Sequence, residues 1–481
     1  MSYPDMSSLK RRMQWLGLSL LAVSLFATVL IPEAQPVLAG PLPAIKVRAI
    51  PAFARKYGMP CSSCHLAWPM LSPFGQNFKD NGYQMMNDRD APIYQNPAYW
   101  PVTFRMTTFW HRESTNRVQV DDPINENQKE AQITTHGFDW SGLDFHTGGT
   151  LAKNVSFYVL PSSDNTGSFH FETVFARLDN LLGSSWLNVK LGKFELDNLL
   201  SEKRILTLTN ESGVYQNYHF QPATENPAIY SFGIGDNQVG LEWMGHSKDD
   251  RTRLSASLLS SNDGSPGLPT SRGYDGFFAG SRAFQVGSLG LQRIGAFAYL
   301  GQAPTYYQYN EGGAPVAGTG IGNKSFYRLG IIGQFYVHKL DFTPIYFHGE
   351  DSAYLGTGTP ANQTLPTGAR NPSWNGFLLE THYAYSPQVI FINRYEAIRM
   401  SQQALPTDST NIFIPGVSVP SSDFGNLDMV TFGFRYYPFI SSRAGFAFHN
   451  EYSILRQRRV SPITGSDLTS SSLLFGFDFA F

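Results

Sequence analysis

The chain has 481 residues and carries 36 Lys and Arg against 38 Asp and Glu, a formal net charge of −2. That balance argues against nucleic acid as a partner. Only 15% of residues are charged while 14% are aromatic, and 44 Gly and 30 Pro accompany them with no long helical periodicity, internal repeat or low-complexity tract. Two classes remain, a secreted all-β protein or a transmembrane β-barrel.

The N-terminus reads as an export signal. Lys10, Arg11 and Arg12 precede an apolar run from Trp15 to Ile31, and Val37-Leu38-Ala39 offers a cleavage site after Ala39, so 1–39 is assigned as signal peptide. An uncleaved anchor is the alternative, since the run is near the lower length limit for a spanning helix. Pro32 and Glu33 after it favour cleavage. With no other comparable apolar stretch, no further helix is expected to span a membrane.

Pro41 to Arg55 is a Pro-punctuated lead into Cys61-Ser62-Ser63-Cys64-His65, which places both cysteines within four positions and a histidine directly after the second. This is the attachment pattern for a c-type haem. Two thiols three apart reach the two vinyl groups of one haem as thioethers, and the adjacent imidazole binds the iron from one face. Cys61 and Cys64 are thus the expected covalent tethers and His65 the proximal ligand of a single haem c. A Cys61–Cys64 disulfide would close a very small loop and leave His65 unexplained. Structural zinc would want a second Cys/His pair, and a thioredoxin-like motif a βαβ setting that is not visible.

Residues 40–86 form the expected haem module. Trp68, Leu71, Phe74 and Phe78 suit one or two short helices packed on a haem face. The sixth ligand is open at this stage. Methionine opposite histidine raises the potential, and Met70, Met85 and Met86 are near, with Met85 and Met86 preferred because they close the module after Gly82-Tyr83. The bland reading of each is apolar filler; a wall histidine such as His136, His146 or His170 is the rival. Residues 87–99, with Asp88, Asp90, Pro92 and Pro97, read as a linker.

From Trp100 the period changes to two, and 100–481 is assigned as a barrel. In the last stretch Leu473, Phe475, Phe477, Phe479 and Phe481 alternate with Leu474, Gly476, Asp478 and Ala480. Alternation alone fits a sandwich as well as a barrel. The terminal Phe481 and the connections favour the barrel. About sixteen strands can be placed between Val102 and Phe481, an even count that suits a bacterial single-chain barrel. Tight turns such as Lys153-Asn154, His338-Lys339 and Ser386-Pro387 interleave with long polar connections near 112–131, 196–236, 301–323, 348–373 and 399–427. Short on one side and long on the other is the asymmetry of periplasmic turns and extracellular loops. The fold class expected is therefore mainly β: an antiparallel transmembrane β-barrel preceded by a small α-helical monohaem module. An even count places the module on the periplasmic side or within the lumen.

Ala49, Pro51, Phe53, Ala54 and Arg55 before the motif, with Pro69, Leu71, Phe74, Gly75, Phe78, Lys79, Gly82 and Tyr83 after it, resemble the N-terminal signature of the fused cytochrome-porins, outer-membrane proteins of iron-oxidising bacteria. The detailed match runs from 49 to 83. Gln76 stands where that family commonly has arginine, and Lys56-Tyr57 replaces a usual Gln-Thr. The resemblance implies oxidation of extracellular Fe(II) at one c-type haem, with the electron passed to a periplasmic cytochrome or copper protein and outer-membrane lipid around the barrel. An electron conduit for another donor or acceptor, and a diffusion porin with a haem-containing plug, are the alternatives. Glu113, Asp121, Asp122 and Glu126 in the first long connection, and Glu350 with Asp351 in a later one, offer hard oxygen ligands suited to iron.

Overall fold

In a computed structural model of the chain, the described residues are 52–67, 70–84, 102–121, 128–152, 154–163, 166–196, 234–235, 237–260, 274–304, 308–309, 315–316, 323–357, 363–365, 367–400, 427–438, 445–457 and 467–480. The proposed signal at 1–39, Met85, Met86 and the linker at 87–99 lie outside them, as do most of the long connections.

Sixteen antiparallel strands close into a barrel. They are β1 (Val102–Asp121), β2 (Gln128–Ala152), β3 (Val155–Ser163), β4 (Phe169–Leu178), β5 (Asn188–Phe194), β6 (Gln238–His246), β7 (Thr252–Ser260) and β8 (Tyr274–Gln285). β9 (Leu291–Pro304), β10 (Asn323–Val337), β11 (Leu340–Asp351), β12 (Ser373–Ser386), β13 (Val389–Met400), β14 (Leu427–Tyr436), β15 (Gly445–Gln457) and β16 (Leu468–Ala480) complete the ring. Each strand pairs with its neighbours in the chain, and β16 pairs with β1, Phe475 opposite Trp110.

The two-residue period determines the faces. On β16, Phe475 and Phe477 are 52% and 39% exposed while Leu474 and Asp478 are 5% and 0%. The same alternation points Leu241, Leu258, Phe278, Leu300, Ile331 and Phe391 outward. An apolar exterior on a closed barrel is energetically tolerable only in lipid, and closure leaves no unpaired sheet edge there. Connections on one side are tight, as at 338–339 and 387–388, whereas those on the other run through 195–237 and 352–372. This is the construction of outer-membrane barrels. Among the described residues, no helix is long and apolar enough to cross a membrane.

Two expectations about connections need correcting. The stretch 112–131 is mostly strand, because β1 runs to Asp121 and β2 starts at Gln128. Its Ser and Thr read as loop, yet Ser114 Oγ meets Thr134 Oγ1 at 2.9 Å and Thr115 Oγ1 meets Ser470 Oγ at 3.0 Å. Such cross-strand hydroxyl pairs hold a polar sheet together. Glu113 and Asp121 are therefore strand residues, and Asp122 and Glu126 lie outside the described residues. Glu350 and Asp351 end β11, and Asp351 is bound by Arg328 Nη1 at 2.7 Å rather than offered from a loop.

Ahead of the barrel come three short helices, α1 (Ala52–Tyr57), α2 (Cys61–Cys64) and α3 (Pro73–Asp80). Between α2 and α3, His65–Ala67 and Met70–Leu71 form a small antiparallel ladder with His65 opposite Leu71. α1 falls in a segment that its prolines marked as a lead.

Candidate functional site: the Cys-x-x-Cys-His turn and its seat in the barrel

The motif is one helical turn held at both ends. Pro60 is extended and its carbonyl accepts from Ser63 N at 3.0 Å, while His65 returns to extended backbone with its N–H donating to Cys61 O. Ser72 then fastens the turn to α3. Its N–H donates to Cys64 O at 2.8 Å, its hydroxyl donates to Ser63 O at 3.2 Å, and the same Oγ caps α3 by accepting from Gly75 N at 3.1 Å. A Cβ on Gly75 would stand 2.0 Å from Cys64 O, so only glycine lets α3 lie this close to the motif.

Cys61 and Cys64 are half-buried and unbridged. Three apart on one turn, they share a helix face. Burial pushes the Cys61 thiol up to about 11 and raises that of Cys64. Both are therefore thiols at neutral pH, whereas a disulfide-exchanging Cys-x-x-Cys needs a depressed thiol. Among the described residues no three His, Cys, Asp or Glu side chains group as a metal site. Two neutral thiols on one face with an imidazole next in sequence fit the double thioether and proximal ligation of a haem c.

Aromatic rings build the rest of the module. Phe53 of α1 meets Phe78 at 5.0 Å and stacks on Tyr83 at 5.2 Å, and Tyr57 meets Phe78 edge-on at 5.4 Å. α3 ends in a left-handed turn with Gly82 at φ +75° and Tyr83 at φ +60°, closed by Tyr83 N to Phe78 O at 2.9 Å.

The module meets the barrel on two sides. On one, Arg177 of β4 donates to Lys79 O at 2.9 Å and Asp80 O at 3.1 Å, the carbonyls at the end of α3, while its Nε binds Asp179. Arg253 of β7 reaches Asp80 at 2.7 Å and Asn77 at 3.2 Å. Asn180 donates to Asn81 at 3.1 Å, and Tyr83 stacks on Tyr158 of β3 at 5.8 Å. A Cβ on Gly82 would come within 2.5 Å of Asp179, which explains that glycine too. Gln76 holds the other oxygen of Asp80 at 2.8 Å. On the far side, Met70 is buried in one cluster with Ile390 and Ile392 of β13, Tyr437 after β14 and Ala447 of β15. With β7 and β14 seven strands apart in a ring of sixteen, the module spans the lumen at its short-turn end.

No family model matches the chain, and no curated protein matches it. Among solved structures it is similar to the outer-membrane channel DcaP of Acinetobacter baumannii, at 10% identity over 80% of this chain and 100% of that one, with a TM-score of 0.43. The anion-selective porin from Comamonas acidovorans is similar at 11% identity over 79% and 99%, with a TM-score of 0.46. A loop-deletion form of OmpT of Vibrio cholerae is similar at 11% over 79% and 100%, with a TM-score of 0.41. The barrel is established by its own strand order.

The lumen wall is two-faced. Along one part, Phe277, Phe297, Tyr299 and Phe326 stack inward at 5.8 to 6.4 Å, and Arg328 lies over Phe326 and Trp374. Along the other, His382 is bound by Asp341 at 2.7 Å and Glu380 at 2.6 Å, Arg394 sits 3.4 Å from Glu380, and Arg105 3.3 Å from Asp478. Met70 is buried against the wall. Of the histidines considered, His136 and His170 are exposed, and His146 Nδ1 is bonded to Tyr158 Oη at 2.5 Å. Sequence reasoning missed Arg177 and Arg253, whose signal was no more than a charge at an inward position of a strand.

Proposed function

We propose that this chain is an outer-membrane cytochrome-porin, which oxidises extracellular Fe(II) and delivers the electron to a periplasmic cytochrome or copper protein. One observation carries the reading: a rigid Cys-x-x-Cys-His turn sits in a module wedged across the barrel's short-turn end, the periplasmic end in barrels of this construction. A haem bound there supplies a one-electron couple. Cys61 and Cys64 would hold it as thioethers, each S–H adding across one vinyl group, and His65 would supply the proximal nitrogen. Ser72 and Gly75 fix the direction in which those three side chains leave the backbone. Arg177 and Arg253 fix the module in the lumen, so that charge rather than solute is what crosses. Keeping oxidised iron outside avoids its precipitation in the periplasm. Each tenfold in equilibrium constant is about 59 mV for a one-electron couple, so the potential decides which donors serve.

The test is purified, barrel-folded protein from a host that attaches haem c, mixed anaerobically with Fe(II). The expected result is a haem stain that survives denaturing electrophoresis, loss of that stain in Cys61→Ala with Cys64→Ala, and reduced haem bands on adding Fe(II). A diffusion porin is the reading favoured by the ionisable part of the lumen wall. Open conductance in liposomes together with a redox-silent haem would establish it in place of Fe(II) oxidation.

A further inference from the structure

The short-turn end carries its exposed charge on one stretch of the rim. Between β6 and β7 the turn 247–251 exposes Lys248, Asp249 and Arg251, and between β10 and β11 the turn 338–339 exposes His338 and Lys339. The turns at 180–187, 286–290 and 387–388 expose no charged residue. Asp249 is the one exposed acid of these turns and lies 3.4 Å from Arg251, a surface pair that binds weakly. Asp250 is turned instead to Arg253 at 2.6 Å and Arg293 at 3.7 Å. Lys248, Arg251 and Lys339 therefore leave this stretch positive.

Register puts two of these cations on the inner lip. Arg251 O and Lys339 O continue the barrel ladder, accepting from Ala283 N at 2.7 Å and Ala384 N at 2.9 Å, so the two-residue period extends to both. Arg251 stands two before Arg253, which holds Asp80 of the module, and Lys339 two before Asp341, which binds His382 of the lumen wall. Both positions belong to the mouth that seats the module rather than to the lipid flank. At the motif itself the exposed residues are uncharged: Ser62, Leu66 at 41% and Pro73. A neutral patch at the tether beside a lip of one sign steers a partner of opposite sign into a small, transient contact. We propose that this lip is the docking surface for the periplasmic electron acceptor, and that the acceptor is a protein with an acidic docking face. The inference rests on the haem reading above and narrows it. In the encounter one electron leaves ferrous haem, which becomes ferric, and reduces the acceptor's metal by one; no bond or proton is exchanged.

The experiment mixes full-length, barrel-folded, pre-reduced haem protein in detergent with either of two oxidised soluble c-type cytochromes of higher potential, one acidic and one basic around its haem edge, by stopped flow at rising ionic strength. The rate with the acidic cytochrome should fall about tenfold or more from low to physiological salt, and that with the basic one should hold or rise. Lys248→Glu with Arg251→Glu and Lys339→Glu should reverse the preference and leave the visible spectrum unchanged. Isothermal titration with the acidic cytochrome reads the same surface without electron transfer. A wild type that prefers the basic cytochrome overturns the proposal even if the variant does not fold, and so does a folded variant with unaltered rate and binding. Loss of co-purified anionic phospholipid alone in the variant would make the lip a lipid anchor and overturn it too. Absence of covalently bound haem removes the haem reading, whereas the titration still decides the docking surface.

Discussion

The module is gripped by two different kinds of surface. On the β3–β4–β7 side the grip is polar and directional: two arginines on the closing carbonyls and carboxylate of α3, an amide pair, and stacked tyrosines. On the β13–β15 side it is an apolar socket around one flexible methionine. A directional grip sets orientation, since a hydrogen bond weakens steeply when misaligned. An apolar socket sets proximity and tolerates small shifts, because methionine adapts to its surroundings. The charged side therefore says how the module is turned, and the socket says what it is pressed against.

Three substitutions separate the two grips, measured as thermal or denaturant stability of the folded protein and as protease sensitivity of the module. Arg177→Ala should have the largest effect, about 3–5 kcal/mol, because it strands the buried Asp179 carboxylate. The barrel should persist while the module becomes cleavable. Module protection equal to wild type would show that the arginine does not orient it. Met70→Ala should cost about 2–5 kcal/mol at most, nearer the lower figure if the socket collapses around the smaller side chain. Combined with Arg177→Ala it should be nearly additive, as the two sites share no partner. Ser72→Ala should cost about 1 kcal/mol through loss of the α3 cap. Its mark should be on the motif turn, read as slower thioether attachment, with docking unchanged.

What the sequence made legible was local or periodic. The expectation of about sixteen strands came from the two-residue alternation and the connections, and the ring has sixteen. The Cys-x-x-Cys-His turn was legible because it lies within five consecutive residues. Other features were hidden. β1 and β2 extend beyond their expected ends because hydroxyl-rich strands and loops share a composition. Arg177 and Arg253 meet the module through register and closure, and nothing near them in the chain announces that encounter. Gly75 and Gly82 stood out as part of a resemblance, and the structure supplies their cause in backbone approach to Cys64 and the fit against Asp179.

The spread of the module's partners along the chain has a bearing on how the protein is completed. Residues 70 to 83 touch β3, β4 and β7 but also β13 and β15, the last of these nearly four hundred positions downstream. Half of that berth exists early and half only once the penultimate strand has been laid down. Loop closure over such separations is slow compared with hairpin formation. Seating of the first-made globule is thus a signal of finished assembly, and a truncated cylinder would leave it adrift.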